Sequence, residues 1–206
     1  MKLPTCSTRR VVAMMLSLGM MGVLLIPLTA TAQPKLEIKS VAEKKLKQLP
    51  AGPLFWRIET FPTLSLAQAA AGEAALAAEV SGKIWLFTLG AKGGATPGAV
   101  KVAEIGPVPP LTAPEYLLRV NHAFGPPGAR TPVHTHPGSE AFFVLAGRLG
   151  QRTSHGVSHA DAGQTMNGHG AGMVMEVFSA GANDLDQLVM FVVDATRPFS
   201  SPANFE

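Results

Sequence analysis

From Glu115 to Asp194 the chain reads as one strand after another. Tyr116, Leu118, Val120, His122 and Phe124 alternate with Glu115, Arg119 and Asn121, and a period of two puts such a set on one face of a strand, with that face buried. Further strand-like runs follow at roughly ten-residue intervals: 131–136, 140–146, 149–155, 172–179 and 186–194. Glycine turns separate them and helical periodicity is nearly absent, which predicts an all-β sandwich or barrel. The 21 glycines and 17 prolines are scattered rather than repeated, as expected for many short strands joined by tight turns. Hydrophobic content of 47% against 15% charge excludes a disordered chain.

Upstream the pattern is looser. Residues 35–48 (KLEIKSVAEKKLKQ) are charged and predict a surface helix or a loose arm. Phe55–Glu59 reads as a short strand, and Pro62–Ala71 as a helix with Pro62 near its first turn, where a missing N–H costs nothing. Ala74–Val80 and Lys83–Leu89 flank Ser81-Gly82 as a hairpin. Ala99–Ile105 reads as another strand, followed by a proline-rich spacer over 107–114.

The N-terminus has the order of a secretory signal: Lys2, Arg9 and Arg10, an apolar run from Val11 to Leu28, and an Ala30-Thr31-Ala32 exit before Gln33. Thr8-Arg9-Arg10 also fits twin-arginine export, although the strongly apolar run is more typical of ordinary secretion. The expected organisation is a signal peptide over 1–32, an N-terminal arm and extra strands over 33–110, and a barrel domain over 111–206. Removing the leader takes away three of the 17 basic residues and leaves 14 against 14 acidic. The expected mature protein is exported to the periplasm or beyond, near neutral, with no membrane anchor and no charge argument for nucleic acid. The single cysteine, Cys6, leaves with the leader, and disulfide and thiol chemistry with it.

The stretch 128–147 (GARTPVHTHPGSEAFFVLAG) carries the chemistry. His134 and His136 are two apart on a predicted strand, so both imidazoles project from one face. Pro137-Gly138 has the order of a type II turn, expected to fold the chain straight back and bring Glu140 beside the pair. Two imidazoles and a carboxylate converging inside a barrel suit one divalent metal: Fe, Mn, Zn, Ni or Cu. A lone H-x-H is more often a pair of surface residues at a turn. With this chain's own composition and residues treated as independent, five spaced positions filled together would arise by chance about once in ten thousand sequences.

These residues resemble the first signature of the cupin superfamily, G-x5-H-x-H-x3-E-x6-G, with Gly128, His134, His136, Glu140 and Gly147 in the fixed places. The resemblance implies a jelly-roll β-barrel, here with additional N-terminal strands and a short helix. It also implies a metal held by His134, His136 and Glu140. The second signature, G-x5-P-x-G-x2-H-x3-N, survives only at Gly163. His169, Ala171, Val174 and Phe178 stand at its other positions, so the family's usual fourth ligand is missing where Val174 stands.

Three outcomes follow: an open three-ligand site, a substitute ligand, or loss of the metal. His169, between glycines in the loop 167–172, and His122, on the apolar face of its strand, are the candidate substitutes or substrate contacts. His155 and His159 flank a turn and are expected in solvent. Glu176 is a candidate general base if Val174 and Phe178 point inward. A one-residue slip would instead bury Met173, Met175 and Val177 and expose Glu176. Met166, Met173 and Met175 near His169 raise the alternative of a copper site, against their commoner use as core filler. The functional expectation is a metal-dependent oxygenase or related small-molecule enzyme. A non-catalytic barrel that binds or senses a small ligand or metal is the alternative. A homodimer is a further expectation.

Overall fold

The computed structural model describes Met1 and residues 33–206. The expected signal segment, Cys6 included, lies outside the described residues apart from Met1. Residues 33–206 form one compact unit built on three antiparallel sheets.

The first sheet has the order β1-β6-β13-β8-β11, with β1 Glu37–Leu46, β6 Tyr116–Gly125, β13 Leu185–Asp194, β8 Gly138–Ala146 and β11 Thr165–Asn167. The second has the order β10-β9-β12-β7-β14, with β10 Gly156–Asp161, β9 Arg148–Thr153, β12 Met175–Ser179, β7 His134–Thr135 and β14 Ser201–Pro202. These two face each other across a core that includes Ala123, Phe142, Leu149, Val177, Val189 and Phe191. The third sheet, β3-β4-β2-β5, comprises β3 Ala75–Val80, β4 Lys83–Gly90, β2 Phe55–Phe61 and β5 Val100–Ile105. It lies on the outer face of the first sheet, where Trp56, Ile58, Trp85 and Phe87 meet Leu118, Val120, Phe143 and Met190.

This second core explains why β13 (LDQLVMFVVD) is a nearly continuous apolar run: both faces of the strand are covered. It also changes the meaning of the alternation in β6. Leu118 and Val120 are buried as predicted, but against the added sheet. The opposite face, Arg119, Asn121 and Ala123, looks into the barrel.

Residues 35–48 form neither helix nor loose arm. They are β1, paired with β6 from Glu37↔Phe124 to Leu46↔Tyr116 with an irregularity at Ser40/Ala42. Pairing with the free edge of β6 outweighs local helical preference, and the exposed lysines and glutamates suit an edge strand. The predicted hairpin about Ser81-Gly82 is present as β3 and β4. The helix α1, Leu64–Ala70, starts later than expected: Thr63 is its N-cap, its Oγ1 accepting from the Leu66 N–H at 3.3 Å, so Pro62 lies just outside. The predicted strand 131–136 shrinks to two residues, because Pro132 cannot donate to a ladder.

Candidate functional site

A cavity of about 500 Å³ lies between the two barrel sheets. Exposed Lys35, Ile38, Ser200 and Pro202 bound its solvent side. Its walls are mostly apolar, with Phe142, Val177, Val189 and Phe191 among them, and His134, His136 and Glu140 all line it.

The two histidines come from β7 in the second sheet and Glu140 from β8 in the first. The chain therefore crosses between sheets at Pro137 instead of turning back onto a neighbouring strand. Gly138 is required there for space, not for a turn. Its backbone presses so closely on β13 that a Cβ would collide with the Val192 carbonyl oxygen and the Val193 Cα.

Each imidazole is anchored by its Nδ1, His134 to the Pro132 carbonyl at 2.8 Å and His136 to the Phe199 carbonyl at 2.6 Å. A carbonyl only accepts, so Nδ1 carries the proton and donates, and Nε2 keeps its lone pair. The rings lie 4.9 Å apart, edge to face, and His136 also packs at 4.9 Å against Phe191 and Phe199. Burial holds the His136 pKa down at about 4, so this ring is neutral at ordinary pH. On the facing wall the Gln151 amide donates to Glu140 Oε1 at 2.7 Å, and Oε2 lies 3.9 Å from His136 Nε2. Burial pushes the Glu140 carboxyl up to about 8, against the lowering effect of Gln151.

The predicted convergence is looser than expected. Among the described residues no group of three or more His, Cys, Asp or Glu is gathered as a ready metal centre. His136 and Glu140 adjoin and are buried, while His134 is only half-buried. The donor set still fits a divalent cation in its chemistry. Two Nε2 lone pairs are fixed by backbone anchors of the kind that orient metal-bound imidazoles, and a buried carboxylate lacks a cationic partner.

Two antiparallel five-stranded sheets thus close around a cavity, with the His-x-His pair on one wall and the glutamate on the other. The described residues form an antiparallel β-barrel, the architecture that the resemblance to cupins implies. Among solved structures, the chain is similar to an uncharacterized conserved protein with a double-stranded β-helix domain from Klebsiella pneumoniae, at 20% identity and a TM-score of 0.37, over 43% of this chain and 76% of that one. It is also similar to a cupin-like protein from Thermotoga maritima at 18% identity and a TM-score of 0.38, over 42% and 64%. A third is the DMSP lyase DddQ from Ruegeria pomeroyi at 21% and 0.36, over 41% and 42%. No family model and no curated protein matches the chain.

Both candidate substitute ligands lie outside the cavity. His122 projects from the outer face of β6, its Nε2 2.6 Å from Asp186 Oδ1. Arg119, Asn121 and Ala123 take the inner face, so period two sends residue 122 the other way. His169 is half-buried beside His155, the two rings 6.2 Å apart, and it does not line the cavity. Its loop is tied to the barrel on both sides of His169. Gly168 lies so close to Glu140 that a Cβ would collide with the Glu140 carbonyl oxygen, and the Gly172 N–H donates to the His136 carbonyl at 2.9 Å. His155 and His159 are exposed, as predicted.

The slipped register holds in β12: Val177 lines the cavity and Met175 contacts Gln151, its Sδ 3.7 Å from Nε2. Glu176 therefore faces away from the cavity and is not placed to act as a base there. It is buried all the same, between Arg130 at 3.4 Å and Arg152 at 4.0 Å. The three methionines lie apart. Met166 is in the inner core, Met173 is against Ser154, and Met175 is beside Gln151.

Sequence reasoning missed Gln151, Arg119, Asn121 and Gln187 as site residues. Gln187 is fully buried on the cavity wall with neither amide atom hydrogen-bonded to protein. Its signal was legible as a lone amide inside the apolar run of β13. Gln151 had none, because only the facing of two sheets brings it to Glu140.

Proposed function

We propose that the protein is an exported enzyme acting on a small organic molecule, and that His134, His136 and Glu140 hold one divalent metal in its cavity. The observation that carries the reading is the pairing of two oriented imidazole lone pairs with a buried carboxylate, on opposite walls of an open cavity. A metal held there would supply Lewis-acid polarisation of a ligand oxygen. The residues do the rest. The Pro132 and Phe199 carbonyls keep both rings in the tautomer with Nε2 free, and Gln151 fixes the rotamer of Glu140. Phe142, Val189 and Phe191 give the cavity an apolar wall, against which polar contacts to a bound ligand would be strengthened as water is displaced. A solvent-reaching cavity of this size supports a substrate that enters and leaves, over a closed structural barrel.

Metal content of the purified, metal-loaded protein tests this. Wild type should carry about one metal per chain, and His134→Ala, His136→Ala and Glu140→Gln should each lose it, because two remaining ligands hold a cation poorly against water. His155→Ala and His159→Ala should retain it. Full occupancy in a His134→Ala/His136→Ala double variant would overturn the reading.

A further inference from the structure

The cavity has more to it than its metal-competent wall. Lys35, Arg119 and Arg130 also line it, and among the described residues Glu140 is the only carboxylate that does. Arg130 is committed to Glu176 and packs over the Phe178 ring. Arg119 is different. Its Nε donates to Asn121 Oδ1 at 2.9 Å, and its guanidinium lies 4.5 Å from the Phe199 ring centroid. Those two contacts fix the plane of the fork. Among the described residues, the one carboxylate paired with its terminal nitrogens, that of the mostly exposed Glu43, stands off at 3.8 Å.

The position of Arg119 is set by the sheet. It lies opposite Phe191 on β13, and Phe191 lies opposite Glu140 on β8. Arg119 and Glu140 thus occupy one row on the inner face, two strand spacings or about 10 Å apart, with the His136–Phe191–Phe199 cluster beside them. A preorganised guanidinium at that remove, across an apolar wall, matches a carboxylate whose reacting end reaches the histidines.

We propose that Arg119 is the specificity-determining residue of the cavity and that the substrate class is an organic carboxylate with an apolar body. The inference rests on the cavity being the substrate site, as proposed above. Once a ligand is bound, Asn121 and Phe199 hold the fork in place and the apolar wall excludes water from the ion pair.

Calorimetric titration with 3-phenylpropanoate and its neutral counterpart 3-phenylpropanamide tests this, on protein as purified and after stripping with EDTA. Wild type should bind the acid about 10–100-fold more tightly than the amide, the scale of a charge-assisted pair. The preference should survive stripping and disappear in Arg119→Met, with amide affinity unchanged. Arg119→Lys should restore it in part, which separates charge recognition from a folding defect. Equal affinity for acid and amide in wild type, no binding of the acid, or an unchanged preference in Arg119→Met would overturn the inference. A preference abolished by EDTA but indifferent to Arg119→Met would place the carboxylate on the metal, sinking this inference and sparing the metal reading. An Arg119-dependent preference in protein that never carries metal would do the reverse.

Discussion

Glu140 and His136 titrate in opposite senses, and that makes their environment measurable. In the metal-free protein, folding raises the Glu140 pKa from 4.5 to about 8. Between those values the folded chain keeps a proton that the unfolded chain has released, so stability falls as pH rises through the window. His136 is depressed from 6.5 to about 4. Between those values the unfolded chain is the one that holds the extra proton, so stability rises with pH. The two effects oppose each other from pH 4.5 to 6.5, and Glu140 acts alone from 6.5 to 8. EDTA-treated protein should therefore melt at a lower temperature at pH 8 than at pH 6.5. Added Zn²⁺ or Mn²⁺ should reverse the trend, because a bound cation needs the carboxylate and two neutral rings. A metal-free melting temperature that climbs from pH 6.5 to 8 would show that Glu140 is not held protonated.

At the scale of elements, the crossing from β7 to β8 governs the site. Two short pieces of chain from different sheets deliver the two histidines and Glu140, and Gly138 lets them approach by lying flat against β13. Gly138→Ala should cost about 1–3 kcal/mol by overpacking and weaken metal binding by shifting Glu140 relative to His136. Gly72→Ala is the control. A Cβ there meets nothing within 4 Å and the backbone is not left-handed, so denaturation midpoints should separate the two variants clearly. The motif was readable because its residues are close in sequence. The sheet crossing was not, since Pro-Gly is equally the signature of a reversing turn and only the pairing of Gly138 with Val193 shows which is meant.

Over the whole molecule, the added sheet and the barrel share one apolar core. Trp85 lies 6.0 Å from Phe143 of β8, edge to face, and its indole N–H donates to the Val80 carbonyl at 3.1 Å. Phe143 faces outward on the same strand whose Phe142 faces the cavity. Trp85→Ala should cost about 3–5 kcal/mol. It should shift a single chemical-denaturation transition for the whole unit rather than split it in two. Separate transitions for the two layers would mean the sheet can detach from an intact barrel.

Local spacing alone determined the β class, most strand positions, the hairpin about Ser81-Gly82 and the choice of His134, His136 and Glu140 as the proposed metal-binding residues. All of these depend on residues within a few positions of one another, and the two-residue period of a strand is written directly in the chain. Tertiary structure decided which face of each strand looks into the barrel. Both faces of β6 and β13 are buried, one by each core, so alternation could not distinguish cavity from packing. For that reason His122 read as an inward residue and Arg119 did not. The charged run of β1 read as a surface helix or loose arm for a different reason, since only the open edge of β6, distant in sequence, makes it a strand. The slip that turns Glu176 outward and Val177 inward was decided the same way, by which set of side chains the opposing sheet could bury.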